Sequence, residues 1–439
     1  MCVTLTACLP AGPAGIDHAT HLVGELRIPE PASGTCAMDY RAAISRIGLD
    51  GDLEWSTDIP WVDSSLAPVI VDGAVVQGTV RGPLAVDEAD GRPLWQWDGD
   101  LDLAELDAAP PGVVTAAGGD LAALEPRSGD VTWTWSGTGD LSPAFNSFDT
   151  DPRAPRQLVA VREADTVTAV DPVSGEVQWE VDATGRGDQL LDVTADGASV
   201  VELADAAGVI ARRADTGAVR WRWQSASDQL AYGSVQSSDD VVVVHLMAWS
   251  GDDGTGVPGP DANRVVALDP TDGHELWRVP FAAEGGHASL VTDQAVLLWD
   301  EGEIRALDPL TGDLLWEASR ILPGANAVFL AVHEGLLVVV PLAHAGSAIA
   351  LDLATGEELW RTSLEGEIFS PPAFVTGQVL VGSAMGHVDA PEDGRVQSLD
   401  LGTGDVGWTA TFRDGVGRAP VPSADGVIVT SSDGVLFCD

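Results

Sequence analysis

The chain has 439 residues, 45% of them apolar, enough for two or three ordinary domains or for one large β architecture with an extensive core. Its formal charge is −46, with 68 acidic residues against 22 basic ones, all of the latter Arg. Such a surface repels phosphate backbones and anionic head groups, which excludes nucleic acid and direct docking on lipid, and it favours solubility, in high salt included.

The N-terminus reads Met1-Cys2-Val3-Thr4-Leu5-Thr6-Ala7-Cys8. Leu5 to Cys8 resembles a bacterial lipobox, in which small residues precede a cysteine that is lipidated. A full signal needs a basic segment and then about 7–15 apolar residues, and only seven residues precede Cys8. Two readings follow. If translation starts upstream, Cys8 is the lipid-bearing residue of an extracytoplasmic cell-envelope lipoprotein that meets the membrane only through its anchor. If the match is chance, the chain as written stays in the cytoplasm. The stretch to Gly34 is rich in Pro, Ala and Gly and reads as a flexible tether. Residues 1–34 are therefore assigned to a truncated signal and tether, and residues 35–439 to a single folded domain. No run reaches the roughly 18 apolar residues of a membrane-spanning helix.

The folded region repeats one unit, Ala-apolar-Asp-x-x-x-Gly-x-x-x-Trp. Six copies run from Ala85 to Gly91 and Trp95, Ala123 to Gly129 and Trp133, Ala169 to Gly175 and Trp179, Ala267 to Gly273 and Trp277, Ala306 to Gly312 and Trp316, and Ala350 to Gly356 and Trp360; Glu125 replaces Asp in the second. Three are degenerate. Ser45 leads to Gly51 and Trp55 with Ile47 at the Asp position, Ala211 to Gly217 and Trp221 with Arg213 there, and Ser398 to Gly404 and Trp408 with Asp400 kept. The Asp is suited to accept backbone N–H groups of the following turn, and Gly supplies positive φ. The Trp is expected to fill the wedge between adjacent sheets, with the small Ala leaving room for it. The Trp ladder is thus a structural expectation.

Between motifs the pattern is strand-like. Pro68 to Val71, Asp72-Gly73 and Ala74 to Gly78 read as strand, tight turn, strand. Val241–Val244 and Leu336–Val340 are continuously apolar, as strands covered on both faces are. Residues 327–343 read as two strands with a turn at His333, Glu334 and Gly335. Each unit then holds about four short strands that bury themselves against their neighbours, an all-β propeller whose radial closure removes open sheet edges.

The Ala-Leu-Asp-x-x-Thr-Gly-x-x-x-Trp form at 350–360 resembles the bacterial PQQ-binding-like β-propeller repeat family, and the resemblance covers about residues 40–439. It implies four-stranded antiparallel blades, eight in the usual ring. Nine Trp markers and the strand-like residues after Trp408 give nine if residues 52–58 supply a closing strand. Eight is the expectation and nine the alternative. In a closed ring the chain ends meet, so Cys36 and Cys438 are expected to be neighbours and, after export, a disulfide; the other reading is two unrelated small core residues.

Long intervals between motifs mark where loops have grown. Residues 250–263 and 387–394 both fall between second and third strands and so on one face, opposite the Asp-to-Gly turns; residues 147–156 join first and second strands on the other face. The shared face is the candidate binding surface. Asp252, Asp253, Asp261 and Asn263 offer hard oxygen ligands for Ca²⁺ without EF-hand spacing, and a solvated acidic loop is the plainer reading. The resemblance also suggests a PQQ-dependent dehydrogenase of alcohols or sugars, whose cofactor sits in the central funnel with Ca²⁺, an Arg, an Asp base and a vicinal disulfide. This chain has no adjacent cysteines, its eight His lack metal spacing, and it has neither a Gly-x-Ser-x-Gly motif nor a phosphate loop. The expected function is therefore a non-catalytic, monomeric, lipid-anchored binding or scaffold protein, taking a protein partner or small ligand on one propeller face. No catalytic residue and no firm cofactor are assigned.

Overall fold

The computed structural model describes residues 20–21, 37–60 and 62–437, except 63–66, 80–81, 98–104, 110–111, 118–119, 138–140, 145–157, 164–165, 184–190, 195–196, 205–207, 226–234, 247–263, 281–286, 301, 323–324, 326, 343–345 and 388–389. Among them are nine antiparallel sheets, each with four strands in order from first to fourth, and no helix. Eight blades are consecutive in the chain, at 69–96, 105–136, 141–182, 191–224, 235–280, 287–319, 328–363 and 373–412. The ninth is shared between the chain ends. Val421–Pro422 and Gly426–Phe437 form its first and second strands, and Ala37–Gly48 and Leu53–Pro60 its third and fourth. The ring therefore has nine blades, and the early part of the chain closes it with two strands where the sequence suggested one.

Nine clusters of buried apolar side chains join each blade to the next. The last two seal the ring: Ile47, Val396 and Val427 join blades eight and nine, and Ile44, Ile428, Val75 and Leu84 join nine and one. Middle strands are covered on both faces, as in Val242–Leu246 and Leu336–Pro341, which explains their unbroken apolar runs. Fourth strands alternate, burying mainly the Trp, as in Glu358–Ser363. The tight turn at Asp72-Gly73 falls as expected, and the second turn is narrower than the sequence suggested, at Glu334-Gly335 with His333 still in the strand; all four turn residues have positive φ. Thr20–His21 adds a short fifth strand to the outer edge of blade one, pairing with Gln96 and Trp95, and Trp95 is fully buried.

Each repeat Trp reaches forward to the motif turn of the next blade. The indole N–H groups of Trp55, Trp95, Trp133, Trp179, Trp221, Trp277, Trp316, Trp360 and Trp408 donate to the carbonyls of Glu88, Pro126, Pro172, Ala214, Pro270, Pro309, Leu353, Leu401 and Leu49, at 2.7–3.1 Å. The motif Gly forms the floor under the ring. A methyl built on Gly312, which has φ of 70°, would lie 2.6 Å from Trp277 Cγ. Glycine is thus required twice, for the turn and for the approach of the indole. The Ala stands opposite the Trp on the neighbouring strand, as in Ala350↔Trp360 and Ala306↔Trp316.

The degenerate copies have local causes. In blade nine the turn is one residue shorter, and Gly48, not Ile47, takes the place of Asp: the Gly48 N–H bonds Asp52 O, and Leu49 O receives Trp408. In blade four Arg212 stands where other copies are apolar. It is 4% exposed and pairs with the fully buried Glu202 at 3.2 Å, while also donating to Asp182 O of blade three. This buried pair accounts for a charge inside an otherwise apolar wedge.

Burial of an indole contributes about 4–6 kcal/mol gross by area, against about 1 kcal/mol for its hydrogen bond. Packing therefore dominates. Trp277→Phe is expected to cost about 1–2 kcal/mol in urea unfolding and Trp277→Ala about 3–5 kcal/mol. Gly312→Ala should cost clearly more than Gly335→Ala, because Gly335 shares the positive φ but has nothing within 4 Å of its Cβ position. Equal losses would show that the indole floor contributes nothing.

Candidate functional site

The two faces of the ring are chemically different. One carries the first-to-second turns and the Asp-to-Gly turns. Its motif carboxylates bond their own turn backbone. Asp171 accepts the N–H groups of Val173 and Ser174, Asp308 those of Leu310 and Thr311, and Asp400 those of Gly402 and Thr403. These bonds, led by those to Ser174, Thr311 and Thr403, hold the three carboxyls below the ordinary Asp value. They are turn locks and are not free to serve a ligand.

The opposite face carries the second-to-third connections and the crossings from one blade to the next. Among the described residues two ribbons there are much longer than the others. In blade eight Gln378–His387 and Ala390–Asp400 stay paired out to His387↔Ala390. Much of what the sequence suggested as a loop at 387–394 is therefore strand. In blade nine Ala37–Gly48 and Gly426–Phe437 pair over their full length, to Ala37↔Phe437. The ribbons lie side by side.

Both are braced at the base by the crossings. Glu367 and Ala384 exchange two backbone bonds at 2.8 and 2.9 Å, and Glu365 N–H donates to Gln397 Oε1 at 2.8 Å. Arg395 and Glu365 form an ion pair. Residues 413–418 run between the ribbons, with Ser432 N–H donating to Gly415 O at 3.0 Å. Gly382 and Gly394 permit that passage: a Cβ at Gly382 would be 2.8 Å from Val416 Cγ1, and one at Gly394 would collide with Asp414 O. Neither ribbon nor brace was foreseen from the sequence. Glycine within a strand, marking a close backbone approach, was the available signal.

The repeat Trp residues leave the list of site candidates, since all nine are spent on the ladder. Cys8, Cys36 and Cys438 lie outside the described residues, as do Asp252, Asp253, Asp261 and Asn263. Strand Val242–Leu246 precedes that acidic segment and Arg264–Leu268 follows it, so it joins second and third strands as expected. Among the described residues one trio of ligand-type side chains converges, Asp269, Asp272 and His274, in the outer turn of blade five. His274 Nδ1 lies 2.7 Å from Asp272 Oδ1, and that contact raises the imidazole above its ordinary value. Asp269 is occupied by Thr271. The trio lies on the turn face and far out on its blade, whereas a quinone with its Ca²⁺ would need donors in the funnel, so it does not fit that group. A groove of about 580 Å³ between blades three and four is lined by Thr166, Glu180, Asp182, Arg212 and Arg222. Arg212, the buried cation there, is already bonded to Glu202 and to two carbonyls.

A family model described as outer membrane protein assembly factor BamB matches residues 117–296, 249–327 and 300–438. BamB of Nitrosomonas eutropha is 30% identical over 164 residues, 36% of this chain and 37% of that protein. The serine/threonine-protein kinase AfsK of Streptomyces griseus is 26% identical over 193 residues, 42% of this chain and 23% of the kinase. The chain thus spans well under half the length of these two relatives. Among solved structures, the computationally designed Ika8 protein is similar with a TM-score of 0.52 and 19% identity, covering 72% of this chain and 92% of that one. That likeness concerns the fold alone.

The His274 contact is testable by NMR titration. The imidazole should titrate above the ordinary value near 6.5, and Asp272→Asn should lower it. Because its folded pKa is raised, any stability it contributes is present below the unfolded pKa and lost as pH rises through the folded one. An unchanged titration in Asp272→Asn would rule out the contact.

Proposed function

Because the chain belongs to the PQQ-like repeat family whose model is described as outer membrane protein assembly factor BamB, we propose that it is a non-catalytic, extracytoplasmic propeller that binds or scaffolds proteins. The observation that carries this reading is the pair of long ribbons on one face, fixed at their bases by the crossings of blades eight and nine. A rigid, raised surface suits recognition of a protein, because little conformational freedom is lost on binding. On the other face the motif carboxylates are spent on their own turns. The acidic surface favours a partner with basic character. Attachment through a lipid on Cys8 would hold the ring at a membrane that the bare acidic surface would avoid.

The BamB name carries a role in outer-membrane protein assembly for those relatives. For this chain the transferable part is the scaffold, since one repeat architecture serves many functions.

Two measurements test the proposal. A photo-crosslinking residue at Met385, in the blade-eight ribbon, should give one discrete protein adduct in the cells that make this chain. The same residue at Leu310, exposed in a motif turn on the other face, should give none. Equal labelling from both faces would refute the assigned surface. In the purified protein, added PQQ and Ca²⁺ should produce no dye reduction with alcohols or aldoses; sustained turnover would replace the scaffold reading with a quinoprotein dehydrogenase.

A further inference from the structure

The ninth blade differs from the others in one covalent respect. In blades one to eight the second and third strands are consecutive in the chain, so a peptide connection joins them. In blade nine they are Gly426–Phe437 and Ala37–Gly48, which come from opposite ends of the sequence. Among the described residues their pairing is the longest second-to-third pairing. It runs without a register shift from Gly48↔Gly426 to Ala37↔Phe437. The next residues in the sequence beyond this last described pair are Cys36 and Cys438. The chain has four cysteines, and the other two are Cys2 and Cys8.

Directly opposed residues of an antiparallel pair have Cα atoms about 4.5–5.5 Å apart. This lies within the span that a disulfide bridges, about 4.4–6.8 Å. We propose that Cys36 and Cys438 form a disulfide that takes the place of the missing second-to-third connection and makes the ring covalently continuous. The bond forms by exchange with a disulfide oxidant. One thiolate attacks the oxidant to give a mixed disulfide. The second thiolate then displaces it. The two cysteines lose two protons and two electrons, and the oxidant leaves as two thiols. The clasp bears on the ribbon surface, since it would sit at the tip of one of the two ribbons. It does not depend on what binds there.

Trypsin makes the test unambiguous, because the chain has no Lys and its Arg residues fall conveniently. Cys36 lies in peptide 28–41, Cys438 in peptide 419–439, and both Cys2 and Cys8 in peptide 1–27. The full chain is equilibrated with oxidised and reduced glutathione, its free thiols are alkylated in denaturant, and it is digested. The expected product is peptide 28–41 linked to 419–439, lost on reduction. Alkylated Cys36 and Cys438 in the oxidised sample, or linkage of either to peptide 1–27, would overturn the proposal. A second measurement covers function in the fold. Reduction should lower the folded-to-unfolded ratio roughly 30- to 1,000-fold, and Cys36→Ser and Cys438→Ser should each remove that redox dependence. Persistence of the dependence in either variant would also overturn it. Failure here leaves the crosslinking result at Met385 untouched, so the two proposals fail separately.

Discussion

The ring depends on one contact made nine times. An indole lies on a glycine of the next blade's turn, and its N–H bonds a carbonyl of that same turn. The contact is directional, since each blade's fourth strand supplies the Trp and the following blade supplies the floor and the acceptor. It fixes how far apart neighbouring sheets stand and how they are rotated at the outer rim, where a wedge would otherwise open. No blade can hold its Trp alone. The stability of each unit is therefore largely that of its two interfaces, the usual condition of a repeat protein. At the closing seam the same contact is weaker in burial. Trp55 and Trp408 are only partly buried, while the seven between them are 9% exposed or less. The long strand pairing of blade nine offsets this weakness.

The fold was legible because that contact constrains residue type tightly. Only Gly tolerates both the positive φ and the indole, and Trp supplies both the area and the donor. The spacing thus survives even where Asp is replaced, as at Arg213. The blade count was harder to read. It turns on whether residues before the first full motif complete a sheet begun more than 360 positions later, and local pattern carries no information about such a pairing. The Ile47 assignment missed by one residue for a similar reason. The shortened turn slides the register, so Gly48 does the work of the acid.

The candidate surface was only partly legible. Spacing between motifs placed two insertions on one face, and the connectivity agrees. It did not show that one of them is a continuation of the sheet. Strand length beyond the ordinary blade depends on what lies alongside, here the 413–418 segment passing Gly382 and Gly394. The acid-rich composition also hides sites, because carboxylates are common everywhere and most of those on the turn face only lock backbone.

The shared ninth blade also sets the order in which the molecule can be made. Ala37–Gly48 and Leu53–Pro60 are synthesised before blades one to eight, and their sheet partners, residues 421–437, after them. Blades one to eight can form in succession during synthesis, each from consecutive strands. Through all of that time the early pair waits with one edge unpaired. Closing the ring joins positions 400 residues apart, a slow, late step by its contact order, and it cannot occur on an incomplete chain. A truncated product therefore keeps an open edge, a mark by which quality control can distinguish unfinished rings from finished ones.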